Sequence, residues 1–548
     1  MKSEKIKNII YDFVIIICIV LFAIGIAPKV LQNDTFYTIK IGEYIYQNGI
    51  SNLTEDMYSW HNLPYTYPHW LYDFSMFLIY NSFGHLGIYI STIIFTAIMG
   101  MVVYLTCTRL SRNRVVSSII TIGVMYLMKP YIAARAQLVT FILFVLTLYS
   151  IEMFLSSHKK RYAIYLIIIP LLIANLHCAV FPFYFVLYLP YIAEFLWVSL
   201  VDTDLDQRLL YVFNRILKKI TKKEKFDETA EKIKFNISER IRKRKILREE
   251  PYKIKVKKDK WIFILLIIMI IAMGTGLINP AGNGAYTYLY KTYQGNTTGS
   301  INEHLPLTLI ENREYLFAII LFLSLLIFTD TKIKLADLFM LLGLTYLSFK
   351  SRRQVSMFAI LCSPILAKMI SAMFEKYDIT LCKKIRNFSV SICGFVIVVS
   401  LFVIVSVKMV KPTMRAEYVS KSSYPVEAST WMLENLDVQN IKIYNEYNYG
   451  SYLLFRGIPV FIDSRCDLYT PEFNENKEEE IEGRDIFSDA INIASIGVDY
   501  KKKFKEYGVT HTILYENSKL AMILENDSDY KLIYNEGNFK IFERNTQE

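Results

Sequence analysis

The stretch IIYDFVIIICIVLFAIGIAPKV, Ile9 to Val30, decides the fold class. It follows Lys2, Lys5 and Lys7, as the core of a signal peptide would, but such a core is shorter and ends at a small-x-small site. An apolar run of about 20 residues can cross the ~30 Å hydrocarbon core of a bilayer as a helix. The run therefore reads as a retained first span with a basic N-terminus inside.

Ten more apolar runs follow, near 86–108, 115–128, 138–156, 162–176, 179–200, 261–278, 314–329, 335–349, 354–373 and 388–410. The expectation is an α-helical polytopic membrane protein of about eleven spans over 1–410. A mixed-composition domain over 411–548 comes after it. The whole chain is 53% hydrophobic, only a little above the ~45–50% of soluble proteins, because the excess is confined to the first part.

Charge fixes the topology. With the N-terminus cytoplasmic, the basic loops 109–114, 157–161, 201–260, 330–334 and 374–387 all fall inside, as the positive-inside rule asks. The net charge is +11, and residues 201–260 carry 20 Lys/Arg against 11 Asp/Glu, so one loop holds +9 of it. That location argues for topology rather than a nucleic-acid partner. Leu209, Leu210, Phe213, Ile216, Leu217 and Ile220 recur at helical spacing beside Arg215, Lys218 and Lys219. This fits either a basic amphipathic helix held by anionic inner-leaflet lipid or a solvated charge run.

The outer segments gather the chemistry-bearing residues. Loop 31–70, the start of a first outer region over 31–85, holds Asp34, Glu43, Glu55, Asp56, His61 and His69 among Trp60, Tyr65, Tyr67 and Trp70. The stretch 70–83 is too short to span and is expected at the outer interface. Loop 279–313 carries Glu303 and His304, and shorter outer turns carry Lys129 with Arg135, Asn175 with His177, and Arg352 with Arg353. The seven cysteines are scattered without metal-ligand or disulfide spacing. Walker, GxGxxG and HExxH patterns are absent, as are 20–50-residue repeats.

Residues 425–548 alternate helix and strand patterns, so a small α/β domain outside the cytoplasm is expected. Pro425 to Leu436 reads as a helix, and Ile441–Tyr444, Val460–Ile462 and Thr512–Tyr515 read as strands. Lys531–Tyr534 and Phe539–Phe542 flank a hairpin turn at Asn535–Asn538. Asp463-Ser464-Arg465, after a strand, is a binding element or an internal ion pair.

Acidic and basic groups at one membrane face suit a lipid-linked substrate. Moving a sugar off a polyprenyl phosphate needs a carboxylate to take the acceptor's proton. It also needs cations or a metal on the departing phosphate, and a guanidinium meets phosphate with two parallel donors. Asp34 is the first candidate base, although it also stands where it would cap the helical pattern Thr35–Gln47. Asp56 and Asp73 come second, each with a solvated-loop alternative. Arg352, Arg353, Arg135 and Lys129 hold phosphate or snorkel at the interface. His177 is a ligand, a proton carrier or a plain interface residue.

In order and spacing these residues resemble the GT-C type of bacterial integral-membrane glycosyltransferases, which use polyprenyl-phosphate sugars. The resemblance runs through D-T-F-Y-T-I-K-I-G-E (34–43), E-D-M-Y-S-W (55–60), P-H-W-L-Y-D (68–73), A-R-A-Q-L (134–138), A-N-L-H (174–177) and I-N-P-A-G (278–282). It continues through N-E-Y-N-Y-G-S-Y-L (445–453) and F-I-D-S-R-C-D-L-Y (461–469). It implies that Asp34 is the first-outer-loop acid that works as base or metal ligand, with Mg or Mn as the ion it would hold. It also implies that Asp463 and Arg465 form a D-x-R element of the outer domain. Trp70 departs from the acid that often follows this histidine, and Cys178 and Ala179 replace the usual glycines.

The function expected is sugar transfer from a polyprenyl-phosphate donor to a glycan, lipid or protein acceptor in envelope glycan synthesis, at the cytoplasmic membrane. Asp34 would act as base with Asp56 supporting, and Arg352, Arg353 and Arg135 would hold phosphate. His69, His177, Glu303, Asp463 and Arg465 would line the substrate. A non-catalytic partner of the same fold in polysaccharide assembly would show the same topology and tolerate loss of Asp34. A flippase or transporter would place ionisable groups in mid-membrane, where these spans have almost none.

Overall fold

The computed structural model describes residues 2–50, 55–202, 235, 238–239, 242, 253–256, 259–295, 297–301, 303–475 and 483–545. The amphipathic pattern Leu209–Ile220 lies outside the described residues. The chain is mostly helical, and each apolar run forms a helix. Six segments are long and apolar enough to cross a bilayer: Glu4–Ile26, Trp70–Ser111, Ala136–Ser157, Cys178–Ser199, Arg352–Tyr377 and Ile392–Thr413. The other apolar runs make shorter helices, such as Ile262–Leu277. The chain is a multi-pass membrane protein.

Residues 70–83 form a short helical piece of their own, set off from the span that follows by a non-helical break at Gly84, with φ 59°. Only glycine adopts that conformation readily, so the chain changes direction there between the two helices. The helix Asn33–Asn48 begins one residue before Asp34, with Gln32 as its cap residue, so Asp34 sits in the first turn and is not the cap. This helix lies against the start of Trp70–Ser111 at Gly42, where a Cβ would collide with the Asp73 carbonyl. That close approach brings Asp34 and His69 to one face.

In the C-terminal part, strands Ile443–Asn445, His511–Tyr515, Phe539–Arg544 and Tyr530–Glu536 form one sheet in that order. The first pair is parallel and the other two are antiparallel. The last two strands meet at a hairpin through Gly537, at φ 66°. Helices Val426–Asn435, Ile486–Ser495, Tyr500–Tyr507 and Lys519–Leu524 accompany the sheet.

Val460–Ile462, expected as a strand, does not join the sheet. Val460 makes an isolated bridge to Ser59. Its N–H donates to the Tyr58 carbonyl at 3.1 Å and its carbonyl accepts from Trp60 N–H at 3.3 Å. The Asn445 side chain accepts from Phe461 N–H and donates to the Ile462 carbonyl. These backbone groups are committed to loop 31–70 and to one side chain instead of to a sheet neighbour.

The segment 31–88 and the C-terminal part share a single apolar cluster. Phe36 is fully buried with its ring 5.0–5.5 Å from Tyr424, Tyr452 and Phe455. Burying such a ring contributes about 1.5–3 kcal/mol.

Candidate functional site

A polar chamber of about 340 Å³ opens where the helix Asn33–Asn48, the turn before Ala136–Ser157, Ile301, Glu303, His304, Arg353 and the C-terminal residues 447–448 and 464–467 converge. Asp34, Arg135, Glu303, Arg353, His69 and His177 all line it. The fold thus brings together residues from six separate segments of sequence.

The Asp34 carboxylate faces the Arg135 guanidinium, Oδ2 to Nε 2.9 Å. Arg135 Nη1 also reaches Glu303 Oε1 at 3.5 Å. Arg353 donates from Nη2 to Gln137 Oε1 at 3.3 Å. Among the described residues no carboxylate lies within ion-pair distance of it. Arg352 turns the other way, donating from Nε to the Pro306 carbonyl and pairing with Glu311 at 3.2 Å, and it does not line the chamber. The adjacent arginines therefore do different things, because the single turn Arg352–Gln354 points successive side chains apart.

His177 hydrogen-bonds the Thr140 hydroxyl through Nδ1 at 2.8 Å. Burial holds its imidazole neutral, well below the ordinary histidine range. His69 lies with its ring centre 5.5 Å from His177 and its Nδ1 3.5 Å from Asp73 Oδ2.

Asp56 and Asp463 lie behind the wall, in neither chamber lining. Arg465 is 2% exposed and stands between them. Its Nη1 donates to Asp56 at 2.7 Å, and its Nε and Nη2 donate to Asp463 at 2.9 and 2.6 Å. Asp56 also accepts from the N–H groups of Tyr58 and Ser59, and Asp463 from the Tyr469 hydroxyl at 2.6 Å. Of the D-x-R element, Ser464 and Arg465 reach the chamber and Asp463 does not.

Asp467, which sequence reasoning did not single out, lines the chamber. It accepts from the Thr292 hydroxyl at 3.3 Å, and burial raises its carboxyl above the usual range. The signal was in the quoted F-I-D-S-R-C-D-L-Y element. Asp467 follows Arg465 by two residues, on the turn Cys466–Tyr469. Gln137 and Tyr288 were also missed, since neither type stands out in an apolar or aromatic-rich context.

A second cavity of about 460 Å³ adjoins the first, with His177, Tyr288, Arg353 and Asp467 in both walls. Its lining is largely apolar and includes Phe141, Phe144, Val180, Phe183, Leu347 and Met357. A polar compartment thus adjoins an apolar one, with Arg353 at the junction.

For a divalent ion the donor set does not fit. Among the described residues no group of three or more His, Cys, Asp or Glu side chains could hold a metal, and Asp34 already faces a guanidinium.

No protein-family model and no curated protein matches the sequence. Solved structures do. The oligosaccharyltransferase of Archaeoglobus fulgidus in its apo form aligns with TM-score 0.54 at 12% identity, over 92% of this chain and 69% of that one. The same enzyme tethered to an acceptor peptide containing the NVT sequon aligns with TM-score 0.53 at 12% identity and the same coverage. ArnT from Cupriavidus metallidurans, bound to undecaprenyl phosphate, gives a weaker likeness, TM-score 0.49 at 8% identity over 97% of both chains. The chain has the fold of the GT-C glycosyltransferases.

Proposed function

We propose that this protein is a GT-C glycosyltransferase that moves a sugar from a polyprenyl-phosphate donor onto an acceptor outside the cytoplasm, in envelope glycan synthesis. The observation that carries this reading is the polar chamber holding Asp34, Arg135 and Arg353 beside an apolar cavity. The lipid tail would lie along Phe141, Phe144 and Phe183, with the phosphate at Arg353. Arg135 would exchange Asp34 for a phosphate oxygen, and that exchange frees Asp34 to take the acceptor hydroxyl's proton. The hydroxyl oxygen then bonds the anomeric carbon, and the anomeric C–O pair leaves with the phosphate.

Asp56 and Asp463 would support this chemistry through Arg465, while Glu303 and His177 would contact the sugar. The C-terminal part, outside the cytoplasm, would close the chamber. The N-terminus and the basic loop 201–260 would face the cytoplasm, with the loop resting on anionic lipid.

The test is sugar transfer or donor hydrolysis by the purified protein in nanodiscs, with a panel of radiolabelled polyprenyl-phosphate sugars. Native protein should turn over one of them, and Asp34→Asn should lose about 10²–10⁴-fold, the scale of a positioned base, with its melting temperature unchanged. Binding without turnover of any donor would replace this reading with the non-catalytic partner.

A further inference from the structure

Behind His69 the structure buries a carboxylate. Asp73 is 1% exposed and sits one helical turn after His69. Among the described residues no donor meets either carboxylate oxygen in full hydrogen-bond geometry, and His69 is the only cationic side chain within ion-pair distance. The Thr38 hydroxyl is a loose neutral neighbour, and Arg465 acts from further off. A carboxylate taken out of water and left unpaired costs several kcal/mol, so such groups keep a cation or a proton. The imidazole supplies it. Its Nδ1 edge turns to Asp73 and its Nε2 edge is left for the chamber that it lines.

From this geometry we infer that the His69–Asp73 pair stores one proton at the chamber wall and delivers it from His69 Nε2 to the departing phosphate. This rests on the glycosyltransferase reading and adds the leaving-group half of its acid–base chemistry. When the anomeric C–O bond breaks, its electron pair stays on the phosphate oxygen. That oxygen takes the Nε2 proton, and the lipid phosphate leaves as a monoanion instead of a dianion. The acceptor hydroxyl's proton remains on Asp34, and solvent exchange then returns one proton to the imidazole and removes one from Asp34. The other groups facing the ring are Tyr37 from the helix Asn33–Asn48, His177 from the end of Lys160–Leu176, and Asp467 from the C-terminal part. Of these Asp467 is the only carboxyl group, and the Arg353 guanidinium acts on both His177 and Asp467 while Arg465 acts on Asp73.

The test is the affinity of the full-length protein in nanodiscs for undecaprenyl phosphate, compared at about pH 6 and about pH 8.5. Native protein should bind about 10-fold more tightly than His69→Gln at the lower pH, the value of one charge-assisted hydrogen bond, and the gap should close at the higher pH. Asp73→Asn, which leaves the ring but removes the charge behind it, should move the closing point to lower pH. Calorimetry of the native protein in buffers of different ionisation enthalpy gives the protons exchanged on binding, without any variant. A gap independent of pH, an Asp73→Asn profile equal to native, or no proton linkage would each overturn the stored proton. Donor turnover is scored separately. Its absence with the pH-dependent gap intact overturns the transferase reading and leaves the proton store standing as a phosphate-binding device.

Discussion

Arg465 and Arg353 border the same chamber and have opposite surroundings. Arg465 is closed between Asp463 and Asp56, every contact within 2.9 Å, whereas among the described residues the Arg353 guanidinium hydrogen-bonds the neutral Gln137 amide and no carboxylate. A guanidinium whose charge is already matched holds structure together. One left with an amide for company has its charge available for a ligand. Composition and position do not separate the two, and only the partners do.

The largest expected effect breaks the closed arginine. Arg465→Ala leaves Asp56 and Asp463 buried and unmatched, which costs about 3–5 kcal/mol. The measurement is thermal unfolding in detergent, and an unchanged melting temperature would mean that the pair of carboxylates is not held by charge.

Glu446 sharpens the contrast, because it is a mostly buried acid without such a partner. Its carboxylate takes part in a capping contact with Tyr449, and burial pushes it up to about 7 from its ordinary 4.5. The folded form keeps the proton that the unfolded chain gives up. Stability is therefore full below about pH 4.5 and falls as pH rises through about 7, by up to about 3 kcal/mol. Glu446→Gln should flatten that fall in melting curves taken across this window.

Arg353→Ala should weaken undecaprenyl phosphate binding about 10–100-fold, as loss of a charge-assisted contact does, with little change in melting temperature. Its neighbour sets the smallest effect. The Arg352–Glu311 pair is largely exposed, so Arg352→Ala should cost at most about 1 kcal/mol and leave binding at the native value. Equal effects from the two substitutions would erase the distinction drawn between them.

The membrane architecture was legible because long apolar runs have few alternatives to helix. Asp34, Arg135, Arg353 and His69 could be picked out as charged or titratable residues beside such runs. Their mutual contacts could not, since Asp34 meets Arg135 across about a hundred residues and the two positions share no local pattern. Arg352 and Arg353 were indistinguishable until the turn set their directions. Val460–Ile462 has the composition of a strand, and its fate was decided by Tyr58, Trp60 and Asn445, far away in sequence. The acid near the D-x-R element that faces the cavity is Asp467, two residues beyond it, and not Asp463, which the buried Arg465 holds.

The link between Arg465 and Asp56 spans 409 residues, and that has a consequence in time. During synthesis at about 5–20 residues per second, the first outer loop emerges roughly 20–80 seconds before its partner exists. Until the last fifth of the chain arrives, Asp56 has no arginine, Val460 and Phe461 are missing from the loop's contacts, and the chamber lacks a wall. Chains cut short before that point lack the 464–467 wall of the chamber, so the order of the sequence makes the site the last part of the fold to be completed.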